Sequence, residues 1–224
     1  MFEISPAFAV PLVFAVMPDC DALNAELREL FLARSQDDSY SHPTPLVQRN
    51  AALFESNFRL FDWPQASVQK LRTFCLSNLY RAVGELNGYD METLKRLHVA
   101  TEAWFHVTRR GGYFGAHNHP LHSWSGVYCV SHGSDDPASD SGRLVMLNPF
   151  ALGTGYIDMG SAQLKLPYGA AHRRYRLAPG QLVLFPSWLQ HEVLPFEGDE
   201  PRITVAFNAR FQLQGVQRPN LPIG

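Results

Sequence analysis

His117-Asn118-His119-Pro120 is the stretch of this chain with the most chemistry in it. Neutral imidazole binds first-row divalent metals near pH 7. Residues two apart in a strand point to one face, so His117 and His119 could present two rings together. The third ligand has to come from elsewhere, and His191, just past the apolar run 182–185 and the turn signal Pro186, is the best placed. Two ligands from one strand and one from a distant strand can fill one face of an octahedron and leave the other open. His42, His98, His106, His132 and His172 have no partner at ligand spacing and read as structural.

Eleven residues after His191 comes Arg202-Ile203-Thr204. Period two puts Arg202, Thr204, Ala206 and Asn208 on one strand face and Ile203, Val205 and Phe207 on the other. The first face suits a polar cavity, the second burial under helices. A guanidinium is a planar fork matched to a carboxylate, and a neighbouring hydroxyl can add a hydrogen bond. The competing use of Arg202 is an ion pair with Glu197, Asp199 or Glu200. Its closeness in sequence to His191 favours a role in holding the far carboxylate of a dicarboxylic ligand.

The elements that position these residues fall into two textures. Leu23, Leu27, Leu30 and Phe31 recur at helical spacing over 21–34, with Asp19 or Asp21 available as N-cap. A loop containing Pro43 and Pro45 follows, and a second helix is predicted to open at Pro64. Its buried stripe is Val68, Leu71, Cys75, Leu79 and Val83, ended by Gly84 or Gly88, and a short third helix covers 91–97. After about residue 101 short β-like runs take over, predicted at 103–107, 125–130, 143–147, 163–166, 174–177, 182–185, 192–194 and 203–207. The apolar stretch from Ala7 to Val16 reads as a first strand, since Glu3 and Pro11 argue against a signal peptide. Eight strands behind a helical front predict a mainly β jelly roll with the N-terminal helices packed on one sheet. The chain then divides as a single domain, 1–224, with a helical front (1–100), a jelly-roll core (101–212) and a C-terminal tail (213–224). Asp135, Asp136 and Asp140 fall in a predicted exposed excursion over 132–141.

Composition narrows the function. Lys and Arg total 19 against 21 Asp and Glu, a net charge of −2, which lacks the basic excess of a duplex binder, so no nucleic-acid partner is expected. No apolar run reaches roughly 18 residues, so no membrane span is expected. Three cysteines without CxxC spacing encode neither a disulfide framework nor a zinc knuckle and fit a reducing, cytoplasmic compartment.

The ordered runs His117-Asn118-His119-Pro120, Ser125-Gly126-Val127-Tyr128, Phe185-Pro186-Ser187-Trp188-Leu189-Gln190-His191 and Arg202-Ile203-Thr204-Val205-Ala206-Phe207-Asn208 resemble the iron(II)/2-oxoglutarate oxygenases of bacteria and phages. The resemblance covers about residues 100–212. It implies a double-stranded β-helix of the cupin-like superfamily, and a dioxygenase using Fe(II), 2-oxoglutarate and molecular oxygen, with hydroxylation the default outcome. It implies His117 and His191 as metal ligands; the HxH pair itself makes His119 the expected third. It also implies Arg202 as the 2-oxoglutarate ligand, assisted by Thr204, with Tyr128 a further candidate. The commoner family pattern has Asp or Glu where His119 stands; His122 is an alternative ligand, and Glu192 should point away. The rival is a cupin-like three-histidine protein, a thiol-type dioxygenase or small-molecule binder without 2-oxoglutarate. Gly111 before the HxH pair fits it, but Ser123 and Trp124 stand where its glutamate would be. Substrate and oligomeric state are left open.

Overall fold

The computed structural model describes residues 1–214 apart from 45, 46, 48, 135 and 152–154. Pro45, Asp135 and most of the expected tail therefore lie outside the described residues. The elements run β1 (Val13–Val16), α1 (Asp21–Arg34), β2 (Leu53–Glu55), α2 (Ala66–Asn87), α3 (Met91–Arg96), β3 (Leu97–Thr108), β4 (Phe114–His117), β5 (Trp124–Ser131), β6 (Leu144–Met146), β7 (Arg173–Tyr175), β8 (Gln181–Pro186), β9 (His191–Val193) and β10 (Arg202–Leu213), with two short 3-10 turns. They form two antiparallel sheets. The major one is ordered β1-β8-β5-β10-β3-β2 and the minor one β4-β9-β6-β7.

The helices cover the major sheet, as the apolar stripes predict. Leu23, Leu27 and Phe31 of α1 and Val68, Leu71, Cys75, Leu79 and Val83 of α2 are buried in one cluster with Phe105, Val107, Val205 and Phe207 of the sheet. Phe31 stacks on Phe105 with ring centroids 4.3 Å apart. α2 runs through Gly84 and stops at Gly88, whose left-handed φ of 66° suits a residue without Cβ. A smaller cluster of Cys129, Leu144, Met146, Leu177, Val183, Phe185 and Leu189 fills the other side of the major sheet and joins it to the minor one.

β10 is the central strand, paired along its length with β3 and over 203–209 with β5. Residues 202–209 are all buried. Ile203, Val205, Phe207 and Ala209 belong to the helix-side core, which sends Arg202, Thr204, Ala206 and Asn208 to the opposite face. A Cβ on Gly126 of β5 would lie 2.4 Å from the Phe207 ring, so only glycine fits beside it.

Several boundaries differ from the sequence reading. The expected strand at 163–166 is a turn-rich segment, because Leu164 and Leu166 find no sheet partner and stay exposed. β3 and β10 are longer than predicted, since each gains ladder bonds from its partner through polar positions such as His98, Glu102 and Gln212. The cap of α1 is Cys20 with no side-chain bond, rather than Asp19 or Asp21. α2 begins at Ala66, two residues past Pro64. β2 and β4 carry too few residues to show a period.

Candidate metal and cosubstrate site

His117 ends β4 and is the direct antiparallel partner of His191 on β9. That register puts two side chains on one face at close range. His119 lies beyond the strand, so strand periodicity is not what brings its ring beside that of His117. What places His119 is its loop. Its backbone N–H donates to the Ser187 carbonyl at 2.9 Å, and Ser123 N–H donates to Ala209 O at 3.0 Å. The three rings then sit 4.3 to 5.1 Å apart between centroids. One ring nitrogen from each lies within 4.8 Å of the others.

The donor set fits a divalent metal. His117 Nδ1 lies 2.7 Å from the Gly115 carbonyl and His191 Nδ1 2.9 Å from the Leu189 carbonyl. A carbonyl can only accept, so each Nδ1 carries the proton and each Nε2 keeps its lone pair for a metal. Burial favours the neutral ring in all three. It lowers His117, with nearby His106 adding to the effect against the Gly115 carbonyl and Glu55. Burial together with the neighbouring rings takes His119 down to about 2, and burial with His117 takes His191 to about 3. Protons therefore compete little for these nitrogens at neutral pH.

An inner cavity is lined by these histidines together with Phe185, Leu144, Val193, Arg202 and Thr204. Arg202 is 4% exposed and Thr204 2%. Arg202 lies against Gly142, where a Cβ would come within 3.0 Å of its Cδ. Of its three expected ion-pair partners, Glu200 is bound by Arg28 at 2.8 Å and Asp199 by Arg110 at 2.7 Å. The structure thus brings together His117, His119, His191, Arg202 and Thr204 around one cavity.

Tyr128 is a correction. It belongs to the helix-side core, on the sheet face opposite the cavity, and its hydroxyl donates to Asn24 Oδ1 at 2.9 Å. Period two explains it: Tyr128 pairs with Val205 of the core face. His122 lies near Glu102, 3.6 Å away, and outside the three-ligand group. Asp140 pairs with Arg143 and Arg174. Among the aromatics near the motif, Trp104 and Phe114 line the cavity, whereas Phe105 and Trp124 pack toward the helices.

Sequence reasoning assigned no role to several residues here. Asn208 accepts from Ser125 Oγ at 2.8 Å, and Ser125 is in turn 2.8 Å from Ser187 Oγ. Its signal was present, since it shares a strand face with Arg202 and Thr204. Glu55 and His106 meet across β2 and β3 at 3.1 Å, and a pair 51 residues apart leaves no local pattern.

Residues 102–208 match the family described as "Putative 2OG-Fe(II) oxygenase". Among curated proteins none matches the sequence. Solved structures share the fold. A Pseudomonas putida prolyl-4-hydroxylase is 16% identical with a TM-score of 0.58, over 91% of this chain and 93% of that one. A Trichoplax adhaerens prolyl hydroxylase, in complex with a hypoxia inducible factor peptide fragment, is 14% identical with a TM-score of 0.59, over 88% and 82%. HygX from Streptomyces hygroscopicus, with nickel and 2-oxoglutarate bound, is 11% identical with a TM-score of 0.53, over 88% and 82%. These likenesses are to a double-stranded β-helix, and the family uses Fe(II), 2-oxoglutarate and molecular oxygen. Residues 102–208, just under half of the chain, thus match the 2OG-Fe(II) oxygenases, a family of oxidoreductases, and the solved structures that share the fold include members of it.

Proposed function

We propose that His117, His119 and His191 hold Fe(II), that Arg202 and Thr204 hold the far carboxylate of 2-oxoglutarate, and that the outcome is hydroxylation. One observation carries this reading: three desolvated imidazoles that converge on one another and a buried guanidinium with a hydroxyl two residues on line the same cavity. The metal with its cosubstrate, when bound, supplies oxidative decarboxylation of 2-oxoglutarate coupled to oxidation of a substrate C–H bond by molecular oxygen.

The chain's own part is positioning. The Gly115 and Leu189 carbonyls fix the tautomers of His117 and His191, and the Ser187 carbonyl anchors the loop that carries His119. Arg202 offers a planar pair of N–H donors and Thr204 a hydroxyl, in apolar surroundings that strengthen both. Phe185, Leu144 and Val193 exclude water from the space between. Three neutral imidazoles bring no negative charge to the metal, unlike a site with one carboxylate.

Anaerobic titration of the Fe(II)-loaded chain with 2-oxoglutarate tests the assignment. A saturable visible charge-transfer band, absent in His191→Ala, is expected; stoichiometric iron without a band would overturn it. We place the protein in the cytoplasm and treat residues 1–224 as one functional domain. Three free cysteines support the first, and the joint helix-and-sheet core supports the second. No helix among the described residues is long and apolar enough to cross a membrane.

A further inference from the structure

Carbonyls fix the rings of His117 and His191, whereas His119 is tied through its main chain, its N–H donating to the Ser187 carbonyl at 2.9 Å. Ser187 lies just past the end of β8, where the ladder with β5 stops at Pro186. Its own N–H donates to the Ser123 carbonyl at 3.1 Å, so the two loops that leave the sheet here are pinned to each other through Ser187.

Ser187 is held in turn by a row of buried side chains on neighbouring strands. Asn208 of β10 and Ser125 of β5 are direct register partners, and Ser125 Oγ donates to Asn208 Oδ1 at 2.8 Å. Ser125 Oγ is also 2.8 Å from Ser187 Oγ. A hydroxyl has one proton, and Ser125 gives its own to Asn208, so Ser187 donates to Ser125. The row therefore runs one way, from Ser187 through Ser125 to Asn208. Ser187 is 0% exposed, Ser125 2% and Asn208 4%. Away from water such bonds are strong when the set is complete, and costly when one member is lost.

Sheet pairing does not require this row. β5 is already laddered to β10 over 203–209 and to β8 over 182–186. What the row adds is a fixed place for Ser187, which lies beyond the β8 ladder, and hence a fixed place for the carbonyl that receives His119. Outer partners of metal-ligating histidines ordinarily sit on the ring. For His119 that task falls to the backbone, and the row passes it to β10, the strand that also carries Arg202 and Thr204.

We propose that Ser187, Ser125 and Asn208 are positioning residues for the metal centre, acting through the main chain of His119. The proposal rests on His119 being the third ligand, as assigned above. Metal–nitrogen distances tolerate only about 0.2 Å of error. A Ser187 carbonyl free to shift would carry the His119 ring out of that range while leaving His117 and His191 in place.

Co(II) titration of the chain against a competing chelator, with the visible d–d absorption recorded alongside, tests this. Ser187→Ala, Ser125→Ala and Asn208→Leu are each expected to weaken Co(II) by about 10- to 100-fold. Each should also move the d–d band toward that of His119→Ala. In a chain already carrying His119→Ala, the same changes should alter Co(II) affinity by less than about twofold. A role confined to fastening the sheet would lower the unfolding temperature and leave affinity and band unchanged. That outcome overturns the proposal, as does a loss that adds in full to that of His119→Ala. Any one of the three variants carries the test should another not fold. His119→Ala with the parent's affinity and band would refute the ligand assignment and the proposal together. A loss in His119→Ala with none in the other variants refutes the proposal alone.

Discussion

Replacing Arg202 is the sharpest test of its proposed contact with 2-oxoglutarate. Its side chain is buried, 4% exposed, beside Thr204 at 2% and close to the apolar Leu144 and Val193. A carboxylate drawn into that space has left water behind and depends on the guanidinium for compensation. Removing one partner of a buried ion pair costs about 3–5 kcal/mol, since the other charge is left unmatched. At about 1.4 kcal/mol per decade, Arg202→Ala should weaken 2-oxoglutarate about 150- to several thousand-fold. Arg202→Lys keeps the charge but loses the planar fork, and should fall between the two. The assay is the 2-oxoglutarate dissociation constant from anaerobic titration of the Fe(II)-loaded chain, with thermal unfolding to verify the fold. A dissociation constant for Arg202→Ala within about threefold of the parent would refute the reasoning, because no buried pair could be lost so cheaply.

Three other outcomes follow from particular contacts. Tyr128→Phe removes the donor to Asn24 Oδ1 inside the core; it should lower stability by about 1–3 kcal/mol in urea unfolding and leave 2-oxoglutarate affinity unchanged. Phe31→Ala opens a void where α1 stacks on Phe105 and should cost about 3–5 kcal/mol, read from the denaturation midpoint. Burial raises the Glu55 carboxyl, but the hydrogen bond and charge of His106, with Arg49 and His42, outweigh it and hold the carboxyl below its ordinary 4.5. A depressed folded value means the contribution is present above about pH 4.5 and is lost as pH falls through the folded value. Unfolding midpoints of the parent and Glu55→Gln should therefore converge on acidification from pH 6 toward pH 3, and a gap that widens would count against the pairing.

The helices were legible because their stripes are redundant: losing any one of Leu71, Cys75 or Leu79 from the pattern would leave the period intact. The strands of the candidate site were legible for another reason. His117, His191 and Arg202 are chemically rare residues in β-like contexts, and their order along the chain carries a resemblance that a period alone could not. Tyr128 shows the limit of that reasoning. It lies in the same motif run as Ser125 and Gly126, but which face a strand residue takes depends on register, and the register of β5 is set by β8 and β10, far away in sequence. The missed strands β2 and β4 hold three and four residues, too short for any period to appear. The pairing of Glu55 with His106 exists only once β2 has been laid against β3.

β10 carries core residues and cavity residues in strict alternation, with partners on both sides. It therefore behaves like a text with a reading frame of two. Substitutions at Arg202, Thr204, Ala206 or Asn208 can alter what the protein holds while Ile203, Val205 and Phe207 keep the helices in place. Insertion or deletion of a single residue within the strand would exchange the two sets, sending a guanidinium under the helices and an isoleucine into the cavity. Divergence of function along this strand is thus open to point changes and closed to changes of length.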